Sequence, residues 1–226
     1  KHEGLLNLIQ LQNGVHPTIF LIAAAAFWFG CSNVAREIVS ERAIYLREKR
    51  TGLRSGAYIS SIFAYQFLLA SIQTLFIAII IWPTLELTAN FFLGWAILTL
   101  IASCGISLGL LVSASSKTEV TAISTIPLLL LPQLMMGGFV KLYGELVFNG
   151  LQDNFADLMP IRWAFEAMLN LEYQSLIAQN EHVRSIDNII GFAPRSPMTA
   201  VIVLSSLTVL FLLLTQARLQ FLENNR

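Results

Sequence analysis

Eight charged side chains fall within fifteen residues: Arg36, Glu37, Glu41, Arg42, Arg47, Glu48, Lys49 and Arg50, with Arg54 close behind. The chemistry open to such a set is ion pairing. On a helix surface, opposite charges three or four residues apart pair with each other. Here Glu37, Glu41 and Glu48 stand one, two, five, six or more positions from every basic residue in the stretch. At 3.6 residues per turn the three glutamates fall within about 40° of one another, while Arg36, Arg47, Arg50 and Arg54 share a different face. Ile44 and Tyr45 lie close to the glutamate side. Charges that do not pair within the helix are available to something beyond it. Two partners fit: anionic lipid headgroups, which attract basic segments beside a membrane, or a cytosolic protein that docks on the helix.

Other chemistry is missing from the sequence. There is no phosphate-cradling G-x-x-x-x-G-K-S/T loop, no H-E-x-x-H pair and no Cys/His cluster. His2, His16 and His182 all lie outside the apolar runs, which leaves no buried base for an intramembrane hydrolase. Cys31 and Cys104 fall inside apolar runs and read as small packing residues rather than a disulfide. With 14 basic and 14 acidic residues the net charge is zero, and no nucleic-acid partner is implied. No catalytic residue and no metal site is expected.

The elements that must position the charged stretch are membrane spans. The chain has 226 residues, of which 55% are hydrophobic and 12% charged, against about 25% charged in an ordinary soluble domain. Its mean hydropathy is +0.66. Five segments carry no Asp, Glu, Lys or Arg: 17–35, 57–82, 90–115, 120–140 and 196–217. Each is near the roughly 20 residues that a helix needs to cross a hydrocarbon core of about 30 Å. The expected fold is an all-α polytopic membrane protein with five transmembrane helices. Residues 36–56 cannot sit in the bilayer, because each charge at a helix centre costs about 2.5–3.5 kcal/mol on insertion scales. Their basic residues place that loop in the cytosol. Alternation then puts residues 83–86 outside, 115–119 inside, 141–195 outside, and the tail after Arg218 inside. Five spans ending in the cytosol start outside, so a preceding transmembrane helix is expected in the full protein.

The fourth span, "STIPLLLLPQLMMGGFV", carries Pro127 and Pro132 and then Gly137 and Gly138. Proline removes a backbone donor and clashes with the preceding turn, so this helix is expected to be kinked and to end near the glycines. Beyond it, "FADLMPIRWAFEAMLNLEY" reads as a helix of about fourteen residues with Asp157 as N-cap and Pro160 in its first turn. Arg162 and Glu166 stand one turn apart. The segment is too short and too charged to span, which suggests a re-entrant or interfacial helix.

Three segments in register resemble one family. "FWFGCSNVAREIVSERAIYLREKRTG" is similar to the second transmembrane helix and coupling helix of ABC transporters of the ABCG (White/pleiotropic drug resistance) type, within the type-two ABC permease superfamily. "GLLVSASSKTEVTAISTIPLLLLPQLMMGGFV" resembles the end of that family's helix four and its helix five, and "MPIRWAFEAMLNLEY" its external helix before helix six. The resemblance implies that the chain is one permease domain holding family helices two to six, truncated before helix one. It implies an exporter of a lipophilic or amphipathic substrate, working by alternating access in a homodimer or heterodimer of half-transporters. An ATP-binding cassette, on the same full-length chain or on a partner subunit, would bind the ATP and Mg, and some bacterial members carry a forkhead-associated domain ahead of it. The expected location is multi-pass in a membrane, the plasma (inner) membrane if bacterial, in contact with lipid.

By the same resemblance, Glu41, Arg42, Ile44, Tyr45, Arg47, Glu48, Arg50 and Arg54 couple the spans to the cassette. Phe29 aligns with an aromatic substrate clamp, with Asn33 one turn below. Leu131, Leu134 and Met135 align with cavity-lining positions, and Phe139 and Val140 with a leucine pair that forms the outer gate. This chain departs from the family in lacking that Leu-Leu pair and in having no cysteine in its external segment. A lipid or glycan exporter of the wider type-two group is the alternative within transport. A membrane scaffold that recruits a cytosolic partner is the alternative outside it.

Overall fold

The computed structural model describes residues 14–137, 155–179 and 196–224. Among the described residues there is no strand, and the chain is built from helices α1 (His16–Val34), α2 (Glu37–Arg50), α3 (Ser55–Thr84), α4 (Phe91–Ser115), α5 (Glu119–Met136), α6 (Pro160–Gln179) and α7 (Pro197–Asn224). Five helical stretches, containing α1, α3, α4, α5 and α7 in turn, are long and apolar enough to cross a membrane. The molecule is an all-α polytopic integral membrane protein. Helices are the solution that chemistry permits here, because a bilayer core offers no water to satisfy backbone N–H and C=O groups.

α4 lies at the centre and touches α1, α3, α5, α6 and α7. In its most apolar stretch 78% of residues are buried, against 22%, 17% and 22% in α3, α5 and α7, which therefore face outward from the single chain. Small residues let α1 and α4 approach until their backbones touch, the usual basis of helix contact in membranes. A Cβ added to Gly30 would lie 2.2 Å from the Ala102 carbonyl oxygen, and one on Gly105 would lie 2.4 Å from that of Phe27. Gly109, four residues on, meets the Cys31 backbone in the same way. Cys31 is buried and unbridged, and its Sγ donates to the Gly105 carbonyl at 3.2 Å.

Helix ends follow local chemistry. Asn90 caps α4 by accepting from the Phe92 and Leu93 amides, and Thr118 caps α5 by accepting from Thr121 N–H. α2 ends at Arg50, and the turn after it passes through Gly52, whose φ of 109° is open to glycine and strained for other residues. That turn sends the chain back along α2 as α3. α5 carries Pro127 and Pro132 inside one helix and stops at Gly137, as the glycines implied. Phe139 and Val140, the expected outer gate, lie outside the described residues.

Two elements differ from their sequence expectation. α6 starts at Pro160 and runs 20 residues to Gln179, rather than about fourteen residues following an Asp157 cap and ending at Tyr173. Proline takes the first helical position, where its missing N–H costs nothing. Asp157 therefore does not cap the helix; it lies in a separate turn, pairs with Arg162 at 3.5 Å, and accepts from Trp163 Nε1 through its carbonyl. The charges of α6 are buried among the other helices. Arg162 Nε donates to Glu166 at 2.8 Å, and their side chains are only 3% and 5% exposed. α7 is the second difference. It continues seven residues beyond the expected boundary at Ala217, to Asn224.

Candidate functional site

α2 carries the charges, and the chain that feeds it barely leaves the helical conformation. α1 ends at Ala35 in the α region, and Arg36 keeps φ −109° and ψ −8° before α2 begins. One consequence is a straight row, Asn33, Glu37 and Glu41, four residues apart across the junction. All three meet α3. Asn33 Nδ2 donates to Gln73 Oε1 at 3.2 Å, Gln66 Nε2 donates to Glu37 Oε1 at 3.4 Å, and the Tyr58 hydroxyl donates to Glu41 Oε2 at 3.3 Å. Partners that descend along α3 as the row ascends α1 and α2 mark an antiparallel pair joined by a polar seam. α3 is about 45 Å long at 1.5 Å per residue, which exceeds a hydrocarbon core of about 30 Å. Its first turns can therefore flank α2 beyond the membrane.

The start of α2 has no side-chain cap of its own. Ser113, near the end of α4, supplies one: its Oγ accepts from the Ile38 and Val39 amides at 3.1 Å each. Arg42 returns the contact. Its Nη2 donates to the carbonyls of Ser116 at 2.6 Å, Ala114 at 3.3 Å and Ser113 at 3.5 Å. These are the unpaired carbonyls at the negative end of α4, where a guanidinium is favoured. Each helix end thus caps the other.

The far half of α2 meets α7. Glu223 accepts from the Tyr45 hydroxyl and from Ser55 Oγ at 2.9 Å, and it pairs with Lys49 Nζ at 3.3 Å. Lys49 also donates to Ser55 at 2.8 Å. Tyr45 is 2% exposed and stacks at a tilt on Tyr58, with ring centres 4.7 Å apart. Burial, then its bond to Glu223, pushes the Tyr45 hydroxyl up to about 12, so it remains a donor. Burial alone would raise the Glu223 carboxyl, but the bonds from Tyr45, Ser55 and Lys49 outweigh it and hold the group below its ordinary value. Both groups lie beyond the uncharged spans.

The outer side of α2 is different in kind. Ile44 is 49% exposed, and Arg47, Glu48, Arg50 and Arg54 are exposed with no side-chain partner among the described residues. The eight residues expected to act together are therefore divided. Arg42, Tyr45 and Glu41 hold α2 to the spans, while Ile44, Arg47, Glu48, Arg50 and Arg54 face away. Of the expected cavity residues, Phe29 lies on the exposed side of α1, and Leu131 and Met135 are exposed on α5. Leu134 is half-buried against the core, and Asn33 is engaged with Gln73. A cleft of about 580 Å³ between α4 and α5 is lined by Leu108, Leu111, Ser115, Thr121 and Leu129 among others, and by none of the cavity candidates.

Ser113, Tyr58, Gln66 and Glu223 escaped the sequence reading. Gln66 and Gln73, seven apart in an otherwise apolar span, were a usable signal, since polar groups in a span need partners. Glu223 offered none, because its partners lie more than 160 residues away.

Residues 4–173, which are 170 of the 226, match the family model described as ABC-2 type transporter. A curated relative, the ABC transporter ATP-binding/permease protein Rv1747 of Mycobacterium tuberculosis, is 27% identical over 165 residues, covering 66% of this chain and 18% of the relative. The chain thus spans about 18% of the length of that protein. An all-α bundle of five membrane helices, a charged helix seated at one end, and a family match over three quarters of the length lead to one conclusion: the chain belongs to the ABC-2 type transporter family and is a membrane-embedded transport domain.

Proposed function

We propose that this domain is the permease part of an ATP-driven exporter of the ABCG-like kind, and that α2 receives an ATP-binding cassette on the cytosolic side. The observation that carries the reading is the two-sidedness of α2. One side is bound to α3, α4 and α7 through Glu41, Arg42 and Tyr45. The other offers Ile44, Arg47, Glu48, Arg50 and Arg54, all exposed and, for the four charges, without a side-chain partner among the described residues. A helix built this way passes on a push, because it cannot shift without taking its neighbours along. The fusion of ATP-binding and permease parts named for the mycobacterial relative supports a cassette as the partner. ATP and Mg would be held by that cassette.

A second copy, identical or not, would complete a chamber whose walls include Phe29 of α1 and Leu131, Leu134 and Met135 of α5, with Phe139 and Val140 as its outer gate. These faces are apolar, which suits a lipophilic or amphipathic substrate, lipids included. Closure of the cassettes would tilt α1 and α5 and change the side on which the chamber opens.

Arg47→Glu in the full-length protein tests the docking side. A charge pair desolvated at an interface loses about 2–5 kcal/mol when one member is lost, whereas an exposed pair is worth about 0–1 kcal/mol. The expected outcome is ATP hydrolysis that continues while export falls at least tenfold, with a cysteine at Ile44 cross-linking to the cassette in the native background. Native export by Arg47→Glu, together with no cross-link from position 44, would leave α2 as a headgroup-facing loop.

A further inference from the structure

The bond network at the far end of α2 has a property that docking alone does not require. One carboxylate on α7, Glu223, gathers three groups from the α2–α3 corner: the Tyr45 hydroxyl, Ser55 Oγ at 2.9 Å and Lys49 Nζ at 3.3 Å. The Lys49–Ser55 bond at 2.8 Å closes the ring. Tyr45 and Ser55 are buried, while Lys49 and Glu223 are partly exposed, so the network has one buried side and one side open to solvent. α7 reaches this point only because it continues seven residues past the apolar run. A helix needed solely to cross the bilayer could have ended near Ala217.

We infer that Glu223 is a positioning residue that latches α7 to α2, giving the bundle a transmission arm to α7 beside those to α1, α3 and α4. The inference rests on the reading of α2 as the helix that a cassette pushes. Without the latch a push on α2 would reach α1 through the backbone, α3 through the polar seam and α4 through Ser113 and Arg42, but α7 would be left to follow by side-chain contact alone. With the latch, α7 moves as part of the same body. The chamber wall and the outward-facing α7 then respond together.

The test uses the full-length protein in lipid nanodiscs, spin-labelled at exposed positions near the ends of the helices far from α2. One pair, Leu21→Cys with Phe92→Cys, reads α1 against α4. A second, Met198→Cys with Phe92→Cys, reads α7 against α4. All three positions are exposed, and the native Cys31 and Cys104 are buried, so within this domain labelling is confined to the chosen sites, and any cysteine elsewhere in the full-length protein is replaced by serine first. Trapping with ATP and vanadate is expected to shift both distances, by roughly the 1–2 Å typical of helix displacements or more. Glu223→Ala should abolish the α7 shift and leave the α1 shift. Glu223→Gln, which keeps an oxygen for Tyr45 and Ser55, should retain both. If Glu223→Ala does not fold, Tyr45→Phe combined with Lys49→Met and Ser55→Ala opens the same latch from the other side and should give the same split. An α7 shift of native size without the latch overturns the inference while the docking reading stands. If native protein shows neither shift, the docking reading fails and the latch goes with it.

Discussion

Ser113 and Arg42 illustrate how much of α2's seat depends on single side chains. The first amides of any helix lack intrahelical partners, and in α2 two of them are satisfied by Ser113 Oγ from another helix. Ile38 is fully buried beside it, so water is not a ready substitute. Ser113→Ala should therefore cost about 1–3 kcal/mol, the penalty for leaving buried donors unmet. In a chain of this size that corresponds to a fall in melting temperature of about 2–4 °C per kcal/mol. Arg47→Ala, on the exposed side, should shift it by no more than the roughly 0.5 kcal/mol of an ordinary surface change. Thermal unfolding of the detergent-solubilised protein checks both, and equal effects would mean that Ser113 is not the cap. At this scale the sequence was informative about charge and silent about pairing. The absence of any charge pair at helical spacing correctly said that the partners of Glu37, Glu41 and Lys49 lie outside α2. It did not say that those partners are the chain's own Gln66, Tyr58 and Glu223.

Among the elements, the contact of α1 with α4 sets the closest tolerance. Gly30 and Gly105 each sit against a backbone carbonyl of the other helix, with no flexible side chain to yield. Gly105→Leu should force the helices apart and remove the Cys31–Gly105 bond, and the expected result is a protein that inserts but does not reach a folded, monodisperse state in detergent. Gly56, in the first turn of α3, is the matched control, since its nearest neighbours would be 3.8 Å or more from a Cβ. Gly56→Ala should be neutral or stabilising by up to about 1 kcal/mol, the difference in helix propensity. Size-exclusion profiles separate the two outcomes, and a well-folded Gly105→Leu would refute the close contact. The uncharged runs made these spans legible to within a few residues, because the cost of burying charge in lipid is large and local. The end of α7 and the burial of α6 were not legible for the converse reason. Past the membrane a helix continues wherever another helix covers it, and a charged helix enters a bundle when its charges satisfy each other, as Arg162 and Glu166 do.

At the scale of the whole molecule, the two ends are tied down by different means, and this yields a paired prediction. At the end away from α2, Glu172 of α6 is buried and accepts from the Thr88 and Ala89 amides and the Thr88 hydroxyl, all at 2.9 Å. Ser175 donates back to the Thr88 carbonyl at 2.6 Å, and His16 at the start of α1 bonds to the Tyr173 hydroxyl. These bonds fix the α3–α4 turn, α6 and α1 to one another. Every one of them is satisfied within the chain, which suits a platform against which the other end works. At the α2 end Arg47, Glu48, Arg50 and Arg54 have no such side-chain partners among the described residues. Stability and coupling should accordingly separate by end. Glu172→Ala strands two backbone amides and should lower stability by about 1–3 kcal/mol for each buried donor left unmet, while the protein that remains folded still exports in proportion to ATP hydrolysed. Arg47→Glu should do the opposite, with a native melting temperature and export that no longer follows hydrolysis. The measurement is thermal unfolding alongside the ratio of probe exported to ATP consumed in proteoliposomes, with a fluorescent lipid as the probe. If both variants lose stability and coupling in the same proportion, the domain behaves as one undivided body, and the assignment of α2 as the moving end and α6 as the fixed one is wrong.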